Sequence, residues 1–267
     1  MLPGVFEAKK KDGSIYYRAN ITVNGKHVSL GSFDTEEVCS KAYNEAKMIM
    51  QDESISQLTY QNRIKHLHYE KVISLINFRD NKIYIKNPIY LLKNYFVYYL
   101  EPAVVLKFDN DDLFYYMSHK IMARGNHLFV NDYGMQYNIL SRYGIRPYAV
   151  KDRDYKFANG DDTDLRYSNI IVINRYHGVT SEFINGKVEY VAKIHLNGDY
   201  VVGHYQSEAE AAVAYNKAAD YCIRQGIDKK FPQNYVTEYT PREYADVYTE
   251  LKISYKIKYY FSKSRRK

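Results

Sequence analysis

The side chains whose types could make or break bonds, or hold a metal, are few: Cys39 and Cys222, His119 and His127, and Asp161, Asp162 and Asp164. Neither cysteine has a second cysteine or a histidine at zinc-ligand spacing, so both read as small thiols buried in helices in a reducing compartment. His119 and His127 stand eight apart with Arg124-Gly125-Asn126 between them, and a base needs a partner to orient it. Three acids in a glycine-containing loop could offer oxygens to a hard cation, but that pattern makes turns and helix caps more often. No metal, no cofactor and no catalytic residue is expected from this inventory.

The elements that would position any site are duplicated. Gly4-Val5 matches Gly178-Val179, Tyr17-Arg18-Ala19-Asn20-Ile21 matches Tyr190-Val191-Ala192-Lys193-Ile194, and Asn24-Gly25 falls on Asn197-Gly198. Further on, Gly31-Ser32-Phe33 meets Gly203-His204-Tyr205, and 36–46, ending Ala42-Tyr43-Asn44-Glu45-Ala46, meets 208–218, ending Ala214-Tyr215-Asn216-Lys217-Ala218. Two single-residue gaps in loops align everything, so an internal repeat is the first organising fact. Asn-Gly between alternating runs signals a tight hairpin, because both turn positions need positive φ. Asp34-Thr35-Glu36-Glu37 and Gln206-Ser207-Glu208 then read as helix N-caps with early acids, leading into alanine-rich helices able to lie close on a sheet. Along the second strand Ala19, Ile21 and Val23 share one face, so Arg18, Asn20 and Thr22 share the other. In the second copy the outward set is Val191, Lys193 and His195.

This pattern resembles the plant Apetala-two/ethylene-response-factor DNA-binding domain, which also occurs in phage and mobile-element proteins. The resemblance implies a three-stranded antiparallel sheet on one helix, with the sheet face away from the helix entering the major groove. It makes Arg18, Asn20 and Thr22, with Lys9, Lys11, Lys26 and Ser29 nearby, the DNA-facing candidates of the first copy, and Lys187, Lys193 and His195 those of the second. Arg or Lys at guanine, Asn at adenine and Ser or Thr at either are chemically sensible pairings. The second copy has Val191 in place of the arginine, so a protein contact is the alternative there.

The intervening run Asn159-Gly160-Asp161-Asp162-Thr163-Asp164-Leu165-Arg166-Tyr167-Ser168-Asn169-Ile170 resembles the HNH nuclease segment that often precedes such a module in phage proteins. HNH chemistry needs a histidine base, a second metal-holding residue and an orienting asparagine. Here the Asp-His position falls within Lys151-Asp152-Arg153-Asp154, the asparagine of the Asp-Asn-Arg motif is Leu165, and the upstream histidine region reads Gln136-Tyr137-Asn138-Ile139. A fold kept without its chemistry is the expectation, with Arg166 structural or a phosphate contact.

The formal net charge is +7, and it is uneven: 226–267 carry ten basic against five acidic residues, while 104–174 and 175–225 are close to balance. Lys263, Arg265, Arg266 and Lys267 at the basic end could hold phosphates without sequence preference, or form a solvated tail. Thirty-one tyrosines and no tryptophan read mostly as compositional bias. No apolar run approaches the ~18 residues of a membrane span and no leader pattern opens the chain, so a soluble, cytoplasmic protein, nucleoid-associated in a bacterial or phage setting, is expected. The strand-like 83–100, broken by Asn87-Pro88, and the helix start Thr240-Pro241 complete the pass.

The expected architecture is α+β and modular: 1–50 the first sheet-plus-helix module, 51–103 a connector, 104–174 a degenerate HNH-like segment, 175–225 the second module and 226–267 a basic helix or tail. The expected function is non-catalytic binding of double-stranded DNA, as a sequence-specific transcriptional regulator of phage or mobile-element type. The alternatives are a nicking endonuclease with a rearranged site and a protein-docking module. Oligomeric state is left open.

Overall fold

A computed structural model describes residues 2–264. The fold is α+β, built of small antiparallel sheets and helices, and the chain divides into two compact units, Met1–Asn138 with Asp161–Asn169, and Ile139–Gly160 with Ile170–Lys267. Residues 104–174 thus contribute to both units, where a separate segment was expected. Among the described residues no helix is long and apolar enough to cross a membrane.

The first unit opens with β1 (Val5–Lys9), β2 (Ile15–Val23) and β3 (Lys26–Phe33), an antiparallel sheet in that order, followed by α1 (Glu36–Gln51). Thr35 caps α1 by accepting from the Val38 amide, with Glu36 and Glu37 in the first turn beside the positive end of the helix dipole. Ala19, Ile21, Val28 and Leu30 of the sheet bury against Cys39, Ala42, Ala46 and Ile49 of α1. Beyond lies α2 (Tyr69–Asn81), within the expected connector. All residues from Val72 to Arg79 are buried, so α2 has no polar stripe from which a helical period could be read. Its Arg79 is inserted at the end of α1, where Nη1 donates to the carbonyls of Ile49, Asp52 and Ile55 and satisfies groups a helix C-terminus leaves open. A second sheet, β4 (Ile89–Leu91), β5 (Tyr95–Glu101) and β6 (Val104–Asp109), contributes Val97 and Tyr99 to the same core. The short α3 (Leu113–Ser118) and a third sheet, β7 (Ile121–Arg124), β8 (His127–Asp132) and β9 (Met135–Asn138), follow, with Phe96, Phe108 and Tyr116 clustered behind β5 and β6. The return of 161–169 is pinned to β6: the Lys107 amide donates to Thr163 and Lys107 accepts from Leu165.

The second unit holds a two-stranded ribbon, β10 (Tyr155–Phe157) with β11 (Ile170–Val172), and then the repeated module: β12 (Val179–Ile184), β13 (Lys187–His195), β14 (Asp199–Tyr205) and α4 (Glu208–Arg224). Ser207 caps α4 by accepting from the Glu210 amide. Both modules carry a bulge at equivalent places, Ala19/Asn20 and Ala192/Lys193. Both also enter the first strand through a positive-φ glycine, Gly4 or Gly178, on which a Cβ would collide with the ring of Tyr43 or Tyr215. The Gly-Val and Ala-Tyr-Asn of the repeat are therefore two halves of one contact.

The hairpin turns differ. Asn24 and Gly25 both have positive φ and form the two-residue turn expected between β2 and β3. At Asn197-Gly198 neither residue has positive φ, and a three-residue loop starting at Leu196 joins β13 to β14. The positive-φ pair of this module is Asn185-Gly186, one hairpin earlier.

After α4 come α5 (Pro241–Glu250), opened by a capping box between Thr240 and Glu243, and α6 (Tyr255–Ser264). The described part of α6 is anchored: Ile257 and Phe261 are buried in the second unit's core, and Tyr260 packs edge-on against Tyr200 of β14.

Candidate nucleic-acid interface

The register of the first sheet decides which side chains share its open face. Ala19 opposite Val5 and Ile21 opposite Val28 point to α1, so Arg18 opposite Phe6 and Ser32, Asn20 opposite Ser29, and Thr22 opposite His27 point away. Arg18, Thr22, His27, Ser29 and Ser32 are exposed and Asn20 is half-buried. Thr22 Oγ1 and His27 Nδ1 are 2.8 Å apart, which fixes one rim of the face. Phe6, 53% exposed, and half-buried Tyr16 add aromatic surface. Every one of these open-face residues is neutral or basic; the acid of β1, Glu7, has the parity of Val5 and lies on the other side. Among the described residues Arg18 makes no ion pair. Two inter-strand spacings of about 4.8 Å make the face about 10 Å across, which fits a major groove about 12 Å wide.

Three of the sequence candidates are placed differently. Lys26, opposite Val23, has the parity of the helix side, and its Nζ lies 6.0 Å from the centre of the Tyr84 ring. Lys9 shares the parity of Val5 and Glu7 and likewise leaves the open face. Lys11 sits off the strands, in the turn closed by Asp12, which accepts from the Ser14 amide and hydroxyl. Phe6, Tyr16, His27 and Ser32 were missed; pairing β1 and β3 onto β2 by the alternation already read in β2 would have found them.

The second module presents a different outer face. Val191 is 1% exposed although it occupies the outward position of Arg18. Lys193 is held by Glu182 at 2.7 Å, His195 by Asp199 at 2.7 Å, and His204 faces Glu189 at 3.3 Å. Glu182 holds the Lys193 ammonium on the sheet itself, and hydrogen bonding from Lys193 keeps the Glu182 carboxyl below its ordinary range. Lys187 is exposed beside the Asn185-Gly186 turn.

The acids of the 161–164 loop are engaged in holding it. Asp161 accepts from Thr163 and Lys107, which brings its carboxyl down to about 2, and Asp164 accepts two bonds from Arg166. Asn169 donates to the carbonyls of Asp161 and Asp164. Arg166 lies over the Tyr95 ring at 5.0 Å, so its guanidinium clamps the loop to β5. His119 stacks on Tyr115 and shares its Nδ1 with the Tyr115 carbonyl, while His127 is exposed on β8. Of the C-terminal candidates, Arg265, Arg266 and Lys267, and the side chain of Lys263, lie outside the described residues. Comparison of the chain with protein-family models, with curated proteins and with solved structures returned no match.

Proposed function

We propose that this protein binds double-stranded DNA by laying the open face of the first sheet into the major groove, as a non-cleaving, sequence-specific regulator. The observation that carries the reading is the carboxylate-free face of Arg18, Asn20, Thr22, His27, Ser29 and Ser32, free of the charge pairing that occupies its counterpart. A bidentate arginine and an asparagine on adjacent outward positions can read guanine and adenine edges, and the flanking hydroxyls can take bases or phosphates. The second module is assigned a supporting role, since Lys193 and His195 are already paired. The non-cleaving reading is supported by the use of Asp161, Asp164 and Arg166 to hold their own loop.

Selection from a random duplex pool tests the proposal directly. A recovered consensus bound in gel shifts, with plasmid left intact in magnesium or manganese, supports it. Failure to retain any duplex at low salt refutes DNA binding, and metal-dependent nicking refutes the regulator in favour of an endonuclease.

A further inference from the structure

The second unit contains a cavity of about 360 Å³ at the edge of its sheet, where β12 begins at Val179 and the end of β13 runs on past it. Its walls come from Tyr148 and Arg153 before the ribbon, from Lys193 and His195 on β13, and from the segment Lys229–Phe231 after α4. That volume falls at the small end of the range of about 300–1,000 Å³ typical of small-molecule sites.

The lining of the cavity carries a basic excess. Arg153, Lys193, Lys229 and Lys230 line it, against Asp154 and Asp199. Both acids are engaged: Asp154 accepts from Arg153, from the Val150 amide and from Asn174, and Asp199 holds His195. Lys229 donates to the His195 carbonyl, keeping its ammonium at the cavity rim, while Lys230 is exposed and enters no ion pair among the described residues. The floor is aromatic: His177 meets Tyr148 edge-to-face at 4.5 Å and Tyr215 at 5.2 Å, and Phe231 closes one side beneath Lys229. Burial, with Arg153 nearby, lowers the pKa of His177, so near neutral pH it offers a donor and an acceptor without charge.

We propose that this cavity is a binding site for a nucleoside monophosphate, with the phosphate held by Lys230 and Lys229 and the base lodged among Tyr148, His177 and Phe231. With Arg153 paired to Asp154 and Lys193 to Glu182, Lys229 and Lys230 are the lining cations left outside ion pairs among the described residues, and they select an anion; aromatic walls select a planar ring, and the volume excludes a dinucleotide. The site uses no residue of the first module's open face and stands independently of the reading given to that face.

The test is calorimetric titration of the full chain, without DNA, by adenosine and cytidine monophosphates, by the corresponding nucleosides and by inorganic phosphate. Saturable binding of a monophosphate, at least tenfold tighter than either its nucleoside or phosphate alone, is expected. Lys230→Glu, at an exposed side chain, should weaken it tenfold or more with the unfolding temperature unchanged, and Tyr148 ring resonances should shift on ligand addition in the native protein. Absence of saturable binding at millimolar ligand, equal binding of phosphate alone, or indifference to Lys230→Glu overturns the proposal.

Discussion

Arg18 and Lys26 show how much hangs on parity. Both are exposed cations of the first sheet, yet register places Arg18 on the open face and Lys26 across from Val23 on the helix side. Arg18→Ala should weaken binding to a selected duplex by about 1–3 kcal/mol and relax the preference at one base position, the scale of a lost bidentate contact. Lys26→Ala should leave the preference unchanged. Gel shifts across a set of single-base variants of the selected site distinguish the two outcomes. A second residue-scale prediction concerns Gly4 and Gly178. Each holds a positive φ, and a methyl group on either would enter the ring of Tyr43 or Tyr215. Gly178→Ala should therefore cost more than the ~1 kcal/mol of conformational strain alone, measured by urea unfolding. If it is neutral, the Gly–Tyr contact does not hold the module together. The glycine and tyrosine were visible as repeat positions; their contact was not, because they lie 37 to 39 residues apart in sequence.

Among the elements, the two helices of the repeat make opposite use of one position. Glu45 on α1 is buried and its carboxylate accepts from the amides of Lys65, His66 and Leu67, at 2.8 to 2.9 Å, and from His66 Nδ1, on the way into α2. Its equivalent, Lys217 on α4, donates to the carbonyls of Tyr248, Thr249 and Leu251 at the end of α5. An acid meets free amides and a base meets free carbonyls, as the unpaired groups at chain turns and helix ends require. Burial pushes the Glu45 carboxyl up, but the bonds from Lys65, His66 and Leu67 outweigh it and leave the pKa lowered. A carboxyl depressed in the folded state adds stability above its unfolded value of about 4.3, and that stability is lost as pH falls through the folded value. Glu45→Gln should thus be destabilised near neutral pH and show a flatter loss of stability in acid, read from urea midpoints between pH 7 and pH 3. An unchanged acid limb would remove Glu45 from the account. The alignment already set glutamate against lysine, but the element each meets comes from outside the repeat. The same reason hid α2, whose surroundings bury it on all sides, and the burial of Val191, whereas α1, α4 and the alternation of β2 were legible because their partners lie within 45 residues.

At the scale of the whole molecule, the boundaries of sequence similarity and of packing do not coincide. The second copy of the repeat ends with α4, yet its core includes Phe231, Val236, Ile257 and Phe261 from the segments that follow. A fragment of 175–225 should therefore show no cooperative unfolding transition by circular dichroism, although it contains the entire repeat. A cooperative transition with native-like protection would mean that the later segments are dispensable. The alanines of α4 explain the dependence: they let the helix lie close on the sheet but expose little side chain of their own to complete a core.

The path of the chain between the two units carries a consequence for synthesis. It passes from the first unit to the second after Asn138, back at Asp161, and away again at Ile170. As the protein leaves the ribosome, the first unit lacks the strip that pins β6 until residue 169 has emerged, while 139–160 wait for a sheet not yet made. The order of translation and the order of closure are interleaved, and no single exchange of a contiguous coding segment can transplant either unit intact.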